Sequence, residues 1–150
     1  MSEIVGETGP GDRDVMDCDV LIVGAGPAGL GAAIRIKQID PDVHVIVLEK
    51  GAEVGAHIVS GAVIDPVGLD ALLPTGRQQT HFPRTTPVAE DRFSVLTPKG
   101  SLSFPAFLLP PLMSNHGNLI GSLSEVCRWL GAEAEKLGVE IYAGFSGSAL

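Results

Sequence analysis

The chain has 150 residues, 45% of them hydrophobic and only 5% aromatic, enough for one core of ordinary size and suited to an Ala/Val/Gly-rich α/β fold. A net charge of −8 argues against a nucleic-acid partner. Two distant cysteines, Cys18 and Cys127, exclude a Cys-x-x-Cys metal site and a disulfide framework, and fit a reducing compartment.

Residues 1–18 are polar, acidic and glycine-rich, which predicts a disordered lead-in with no signal-peptide pattern. Val20 to Val23 then reads as an apolar strand running into Gly24-Ala25-Gly26-Pro27-Ala28-Gly29. A helix is predicted from about Pro27 to Gln38, with Leu30, Ala33, Ile34 and Lys37 at helical spacing and Asp40-Pro41 ending it. A second apolar strand, Val43 to Leu48, ends on Glu49. Strand, glycine loop, helix and acid-terminated strand together form a dinucleotide-binding fingerprint in its full context. Gly24 permits the tight turn, Gly26 lets backbone approach a pyrophosphate, and Gly29 lets the helix lie close on the sheet. The free N–H groups at the helix start face the phosphates. Glu49, about 20 residues after Gly29, is placed to accept hydrogen bonds from ribose hydroxyls, and its charge disfavours a 2′-phosphate.

Residues 49–74 are glycine-rich and apolar, with Asp65-Pro66 as a helix start and Leu69, Leu72 and Leu73 on one side. Residues 75–91 show no period and read as a loop. Residues 92–104 read as a hairpin turning at Pro98-Lys99-Gly100, as a type I turn with a glycine bulge. Residues 105–113 are apolar and proline-rich, neither helix nor central strand. The strongest helix spans Ser122 to Leu137. It opens on a capping box at Ser122 and Glu125, carries the stripe Leu123, Val126, Leu130, Ala134 and Leu137, and ends at Gly138. A third parallel-type strand follows at Val139 to Tyr142. A doubly wound sheet with that few strands keeps an open edge, so the chain is expected to be the N-terminal part of a longer protein. The four histidines are scattered. His44 reads as structural, while His57 and His116 each read equally as cofactor neighbours or solvated loop residues. No nucleophile–base arrangement is present, so no catalytic residue and no metal ligand is expected.

Several segments carry a family resemblance: VLIVGAGPAGLGAAIRIKQ, VLEKGAEVGAHIVSGAVIDP, TPVAEDRFSVLT, NHGNLI and EVCRWLGAEAEKLGVEIYAGF. The run from Gly55 to Pro66 is the most particular. From about residue 19 to 145 the chain resembles the electron transfer flavoprotein–ubiquinone oxidoreductases. Leu119, residues 75–85 and the shorter length depart from that family's pattern. The resemblance implies a Rossmann-like FAD-binding domain of the glutathione-reductase/p-hydroxybenzoate-hydroxylase type over residues 19–150, incomplete at its C-terminus. It implies FAD held by Gly24, Ala25, Gly26, Pro27, Ala28, Gly29, Glu49, Lys50, Gly55, Ala56, His57, Ser60 and Gly61. It further implies electron passage from reduced electron transfer flavoprotein to ubiquinone through FAD and a [4Fe–4S] cluster, whose four cysteine ligands lie outside this chain. Cys18 and Cys127 are then expected to be buried small hydrophobes.

Residues 54–74 have the hydrophobicity and length of a membrane segment, but glycines, Pro66, Asp65 and Asp70 oppose a spanning helix. Composition alone favours a buried, flavin-contacting segment. The resemblance implies instead monotopic insertion into one leaflet, with Leu69, Leu72, Leu73 and Phe107-Leu108-Leu109 as the dipping residues. The expected location is the cytoplasmic face of a bacterial inner membrane, or the mitochondrial inner membrane in a eukaryote. The rival readings are a non-catalytic FAD-binding or assembly protein, a FixC-like or geranylgeranyl-reductase-like flavoenzyme, and a plain NAD dehydrogenase.

Overall fold

The computed structural model describes residues 15–59, 61–104, 110 and 113–147. Strand β1 (Val20–Val23), strand β2 (Val45–Glu49) and strand β8 (Glu140–Ala143) form a parallel sheet in the order β1-β2-β8. β2 therefore sits in the middle, and Val45, Ile46 and Val47 of its run VIVLE are all buried. Its second strand begins two residues later than the sequence pattern predicts: the backbone N–H of His44 bonds the carboxylate of Asp19 instead of extending the ladder.

Helix α1 (Pro27–Ile39) and helix α3 (Leu123–Lys136) cover one face of this sheet. Leu30, Ala33 and Ile34 of α1 share a core with Val126, Cys127, Trp129, Leu130 and Ala134 of α3 and with Val45 and Val47. Each large apolar side chain buried there contributes roughly 1.5–3 kcal/mol. The cap of α3 is partly as expected, with Ser122 Oγ accepting from the N–H of Glu125, and Gly138 adopts a positive φ of 84° just past the helix end. Leu137 departs from the expected stripe: it is the C-terminal cap and stays exposed, because the helix has already ended.

Between β2 and α3 lies a second, antiparallel sheet that the sequence reading missed. Strand β3 (Ala62–Ile64), strand β4 (Thr85–Pro87) and strand β7 (Leu119–Gly121) pair in the order β3-β7-β4. Three-residue strands are too short to show a period, and β4 falls inside the stretch read as loop, as does a 3-10 turn at Gly76–Gln78. Helix α2 (Val67–Leu72) starts after Pro66, which serves as its N-terminal cap and not as its first residue.

Leu69, Leu72 and Leu73 correct the membrane reading. They are half-buried and packed against the α1–α3 core, because α1 and α3 lie against the side on which helical spacing aligns them. The exposed apolar residues of this region are Val59, Val63 and Val67.

The hairpin is a separate two-stranded sheet of strand β5 (Phe93–Thr97) and strand β6 (Gly100–Phe104). Gly100 pairs directly with Thr97, so the connection is the two residues Pro98-Lys99 and the expected glycine bulge is not formed. Phe93, Val95, Leu102 and Phe104 alternate onto one face; Ser94, Leu96, Ser101 and Ser103 lie on the other, where Ser94 and Ser103 join their hydroxyls at 2.8 Å. Residues 107–109, and most of the lead-in over residues 1–18, fall outside the described residues; 15–18 carry no regular structure.

Candidate dinucleotide site

The loop between β1 and α1 is shaped by its glycines. Gly24 has φ 105°, a conformation side chains disfavour, and its N–H bonds the carbonyl of Leu48 at 2.7 Å. A Cβ on Gly29 would lie 2.0 Å from the carbonyl oxygen of Gly24, so only glycine lets the helix start this close to the strand. A Cβ on Gly26 would meet nothing within 4 Å. The space beside Gly26 is open, as a loop that receives a ligand against its backbone requires. Pro27 stands at the first position of α1, where the missing N–H costs nothing. Ala25 is buried, and its N–H points to β2.

Glu49 closes the other side. One carboxylate oxygen accepts from the N–H of Ala25 at 2.8 Å and the other from the N–H of Gly51 at 2.7 Å. The Gly51 hydrogen bond lowers the carboxyl pKa below its ordinary value, opposed by partial burial; the Ala25 bond and the charges of His57 and Lys50 lower it further. An ionised carboxylate has about four lone-pair sites, so two remain for ribose hydroxyls. Gly24, Glu49 and Lys50 line a cleft of about 270 Å³ together with Val23, Leu48, Phe145, Ser146 and Gly147. Gly24 of the glycine loop and an ionised acid thus meet at the C-terminal edge of a parallel sheet, where such folds bind ligands.

Other expected site residues sit apart from that cleft. Pro27 and Ala28 also border an apolar cavity of about 480 Å³ between α1, α2 and α3, lined by Leu69, Leu72 and Leu130. Gly55 has φ 84° and lies against α3, where a Cβ would come 2.7 Å from the carbonyl of Ser124. Ala56, His57 and Gly61 are exposed, and Ser60 falls outside the described residues. His116 lines a polar hollow with Asp65, Asn115 and Asn118. His44 lies 3.0 Å from Glu140 across the β2–β8 pair, a structural role.

Two groupings were not legible in the sequence. His81 and Lys136 both reach the buried Glu133 carboxylate, at 3.3 and 2.6 Å. They come from elements far apart in the chain, and only the 133/136 half has helical spacing. Phe145 is the other, placed on the cleft by the loop after β8. Cys127 is fully buried, and burial pushes its thiol up to about 11. Cys18 is only half-buried, which corrects its reading as a buried residue: it precedes β1 and is not part of the core cluster.

Fold comparison first gives the class. The tetrameric form of 2-methyl-3-hydroxypyridine-5-carboxylic acid oxygenase superposes with a TM-score of 0.56 at 24% identity, over 87% of this chain and 32% of that one. THI4 of Thermovibrio ammonificans gives 0.51 at 18% identity, over 85% of this chain and 38% of that one. A geranylgeranyl bacteriochlorophyll reductase-like protein from Thermoplasma acidophilum gives 0.54 at 18% identity, over 85% and 30%. Residues 7–66 match the Thi4 family model. The chain shares the α/β fold of these proteins.

Sequence comparison is more particular. The mitochondrial electron transfer flavoprotein-ubiquinone oxidoreductase of Arabidopsis thaliana is 53% identical over 140 residues, 91% of this chain and 21% of that protein. The protein of that name in Pseudomonas aeruginosa is 49% identical over 140 residues, 90% of this chain and 25% of that protein. The probable mitochondrial one of Schizosaccharomyces pombe is 54% identical over 141 residues, 91% and 22%. The likeness read from the motifs thus extends along nine-tenths of the chain. The chain spans about a fifth to a quarter of the length of these relatives.

Proposed function

We propose that these residues form the pyrophosphate and ribose site of an FAD-dependent electron-transfer enzyme, passing electrons from reduced electron transfer flavoprotein to ubiquinone. The observation that carries this is the cleft at the sheet edge, which Glu49, hydrogen-bonded by the N–H groups of Ala25 and Gly51, shares with Gly24 of the glycine loop. The relatives' shared name supplies donor and acceptor. The fold subtype we assign is the glutathione-reductase/p-hydroxybenzoate-hydroxylase type, on the strength of the parallel sheet, the fingerprint and the antiparallel excursion after β2.

The residues present fit FAD: the N–H groups at the start of α1 bind the pyrophosphate, Gly26 admits it, and Glu49 orients the ribose. FAD itself supplies the redox chemistry; the protein's part is to hold it, tune it and keep transfer distances short. Ala56, His57, Ser60 and Gly61 belong in this proposal to the flavin surroundings. A four-thiolate cluster does not fit: the sequence has two cysteines, and the described residues hold no group of three or more His, Cys, Asp and Glu suited to a metal.

The same reading places the protein on a membrane surface. Among the described residues no helix is long and apolar enough to cross a membrane. The hairpin offers an apolar ribbon instead, with Leu102 61% and Val95 45% exposed on one face and Leu96 82% exposed on the other. We assign monotopic attachment to that ribbon. In a bacterium the surface is the cytoplasmic face of the inner membrane; in a eukaryote it is the mitochondrial inner membrane.

Gly26→Val tests the site. A Cβ there meets nothing within 4 Å, so the thermal stability of the flavin-free protein falls only by the modest cost of valine at the N-cap of α1, while purified protein loses its bound flavin. Full flavin content in that variant sinks the assignment.

A further inference from the structure

We infer that Phe145 is the aromatic wall on which the adenine ring of the dinucleotide stacks. The inference rests on the dinucleotide reading above and adds a residue to it. Just past β8 the chain turns at Gly144, with φ 83°. Two backbone bonds then tie the segment to the end of β2: Gly144 N–H to the Gly51 carbonyl at 2.7 Å, and Phe145 N–H to the Glu49 carbonyl at 3.0 Å. The main chain of Phe145 is thus fixed to the residue whose carboxylate faces the ribose. Its side chain is nevertheless 59% exposed, and it lines the same cleft as Gly24, Glu49 and Lys50. Tyr142 meets the ring edge-on, with centroids 6.0 Å apart and planes at 82°, which steadies the ring without enclosing it.

A ribose whose hydroxyls are accepted by Glu49 carries its base within a few ångströms of that carboxylate. An exposed ring anchored at the same point is the surface such a base finds. Base-on-aromatic stacking needs only a π face, so this wall contributes affinity for the adenylate half and leaves the flavin half untouched.

The test uses the full protein stripped of flavin and titrated with 1,N6-etheno-ADP, whose fluorescence falls when its base stacks. Wild type and Phe145→Tyr bind with quenching. Phe145→Leu binds on the order of tenfold more weakly and without quenching, and its ligand-free unfolding temperature matches wild type. Quenching and affinity retained in Phe145→Leu overturn the inference, as does early melting of that variant, which marks Phe145 as a packing residue. Gly26→Val separates the two readings. If Phe145→Leu behaves as wild type while Gly26→Val loses binding, only the stacking role falls. If wild type binds no etheno-ADP, the dinucleotide reading falls, and this inference with it.

Discussion

Strand β2 and the hairpin are both rich in apolar residues, yet one buries them and the other displays them. In β2 the apolar residues run continuously, and α1 and α3 cover one face, leaving Val45 and Val47 without exposure, while β1 at the sheet's edge keeps Leu21 and Val23 exposed. In β5 and β6 the pleat puts Leu96 among the serines on one side and Phe93, Val95, Leu102 and Phe104 on the other. That side has a tilted pair of rings, Phe93 and Phe104 at 6.1 Å, but all ten strand residues remain exposed. An apolar ribbon is a surface prepared for a cover, whereas the central strand β2 has its cover within the chain. Substitutions of similar chemistry should therefore act on stability in the sheet and on partition at the hairpin.

The largest effect belongs to Gly29. A side chain there collides with backbone at 2.0 Å, and backbone cannot turn aside as a flexible side chain does. Gly29→Val should cost at least the roughly 3 kcal/mol at the upper end of ordinary overpacking, read as a fall in the denaturant midpoint. A midpoint equal to that of Gly26→Val would mean the two glycines do not divide into one for the fold and one for the ligand.

Next comes the helix that the sequence reading turned toward lipid. Leu72 packs on the α1–α3 core while half-buried, so Leu72→Ala should cost about 1–3 kcal/mol, somewhat below the range for fully buried leucines. If it leaves unfolding untouched but releases the protein from vesicles, Leu69, Leu72 and Leu73 face the membrane after all.

What the sequence made legible follows the same division. The β1–α1–β2 unit and α3 were readable because their signals are local: three glycines, a capping serine, a continuous apolar run. The β3-β7-β4 sheet was not, since its strands are three residues long and join positions as far apart as Ala62 and Gly121. The direction of a short helix's apolar side was equally hidden. Spacing aligns Leu69, Leu72 and Leu73, but only the position of α1 and α3 decides that they turn inward. The role of Phe145 was hidden for a like reason, because two long-range backbone bonds bring it beside Glu49.

Glu49 gives a smaller effect with a pH signature. Glutamine has one acceptor oxygen and so leaves one of the two N–H groups, Ala25 or Gly51, without its partner. The expected cost in the ligand-free protein is roughly 1–3 kcal/mol. Because the folded pKa is lowered, the wild-type contribution is complete above the ordinary carboxylate range and is lost as pH falls through the folded value. Wild type and Glu49→Gln should therefore differ most at about pH 7, and the gap should close only as pH falls below the lowered folded value. A gap that persists undiminished in acid would show that the charge of Glu49 is not what ties the two loops.

The smallest expected effect on stability, and the sharpest test of the comparison, is at the hairpin. Val95 and Leu102 are cross-strand partners on the apolar side, and both are exposed. Replacing both with serine removes no packed contact with the body of the fold, so the unfolding midpoint should move by no more than about 0.5 kcal/mol. Membrane partition should respond far more, because each large apolar side chain moved from water to lipid contributes roughly 1.5–3 kcal/mol. Co-sedimentation of the full protein with neutral phosphatidylcholine vesicles reads this directly, since uncharged lipid removes any electrostatic attraction. Wild type should pellet with the vesicles, and the double variant should remain largely in solution with its flavin still bound. If the variant unfolds early instead, the ribbon is covered by protein, and the hairpin belongs to the core that the parallel sheet began.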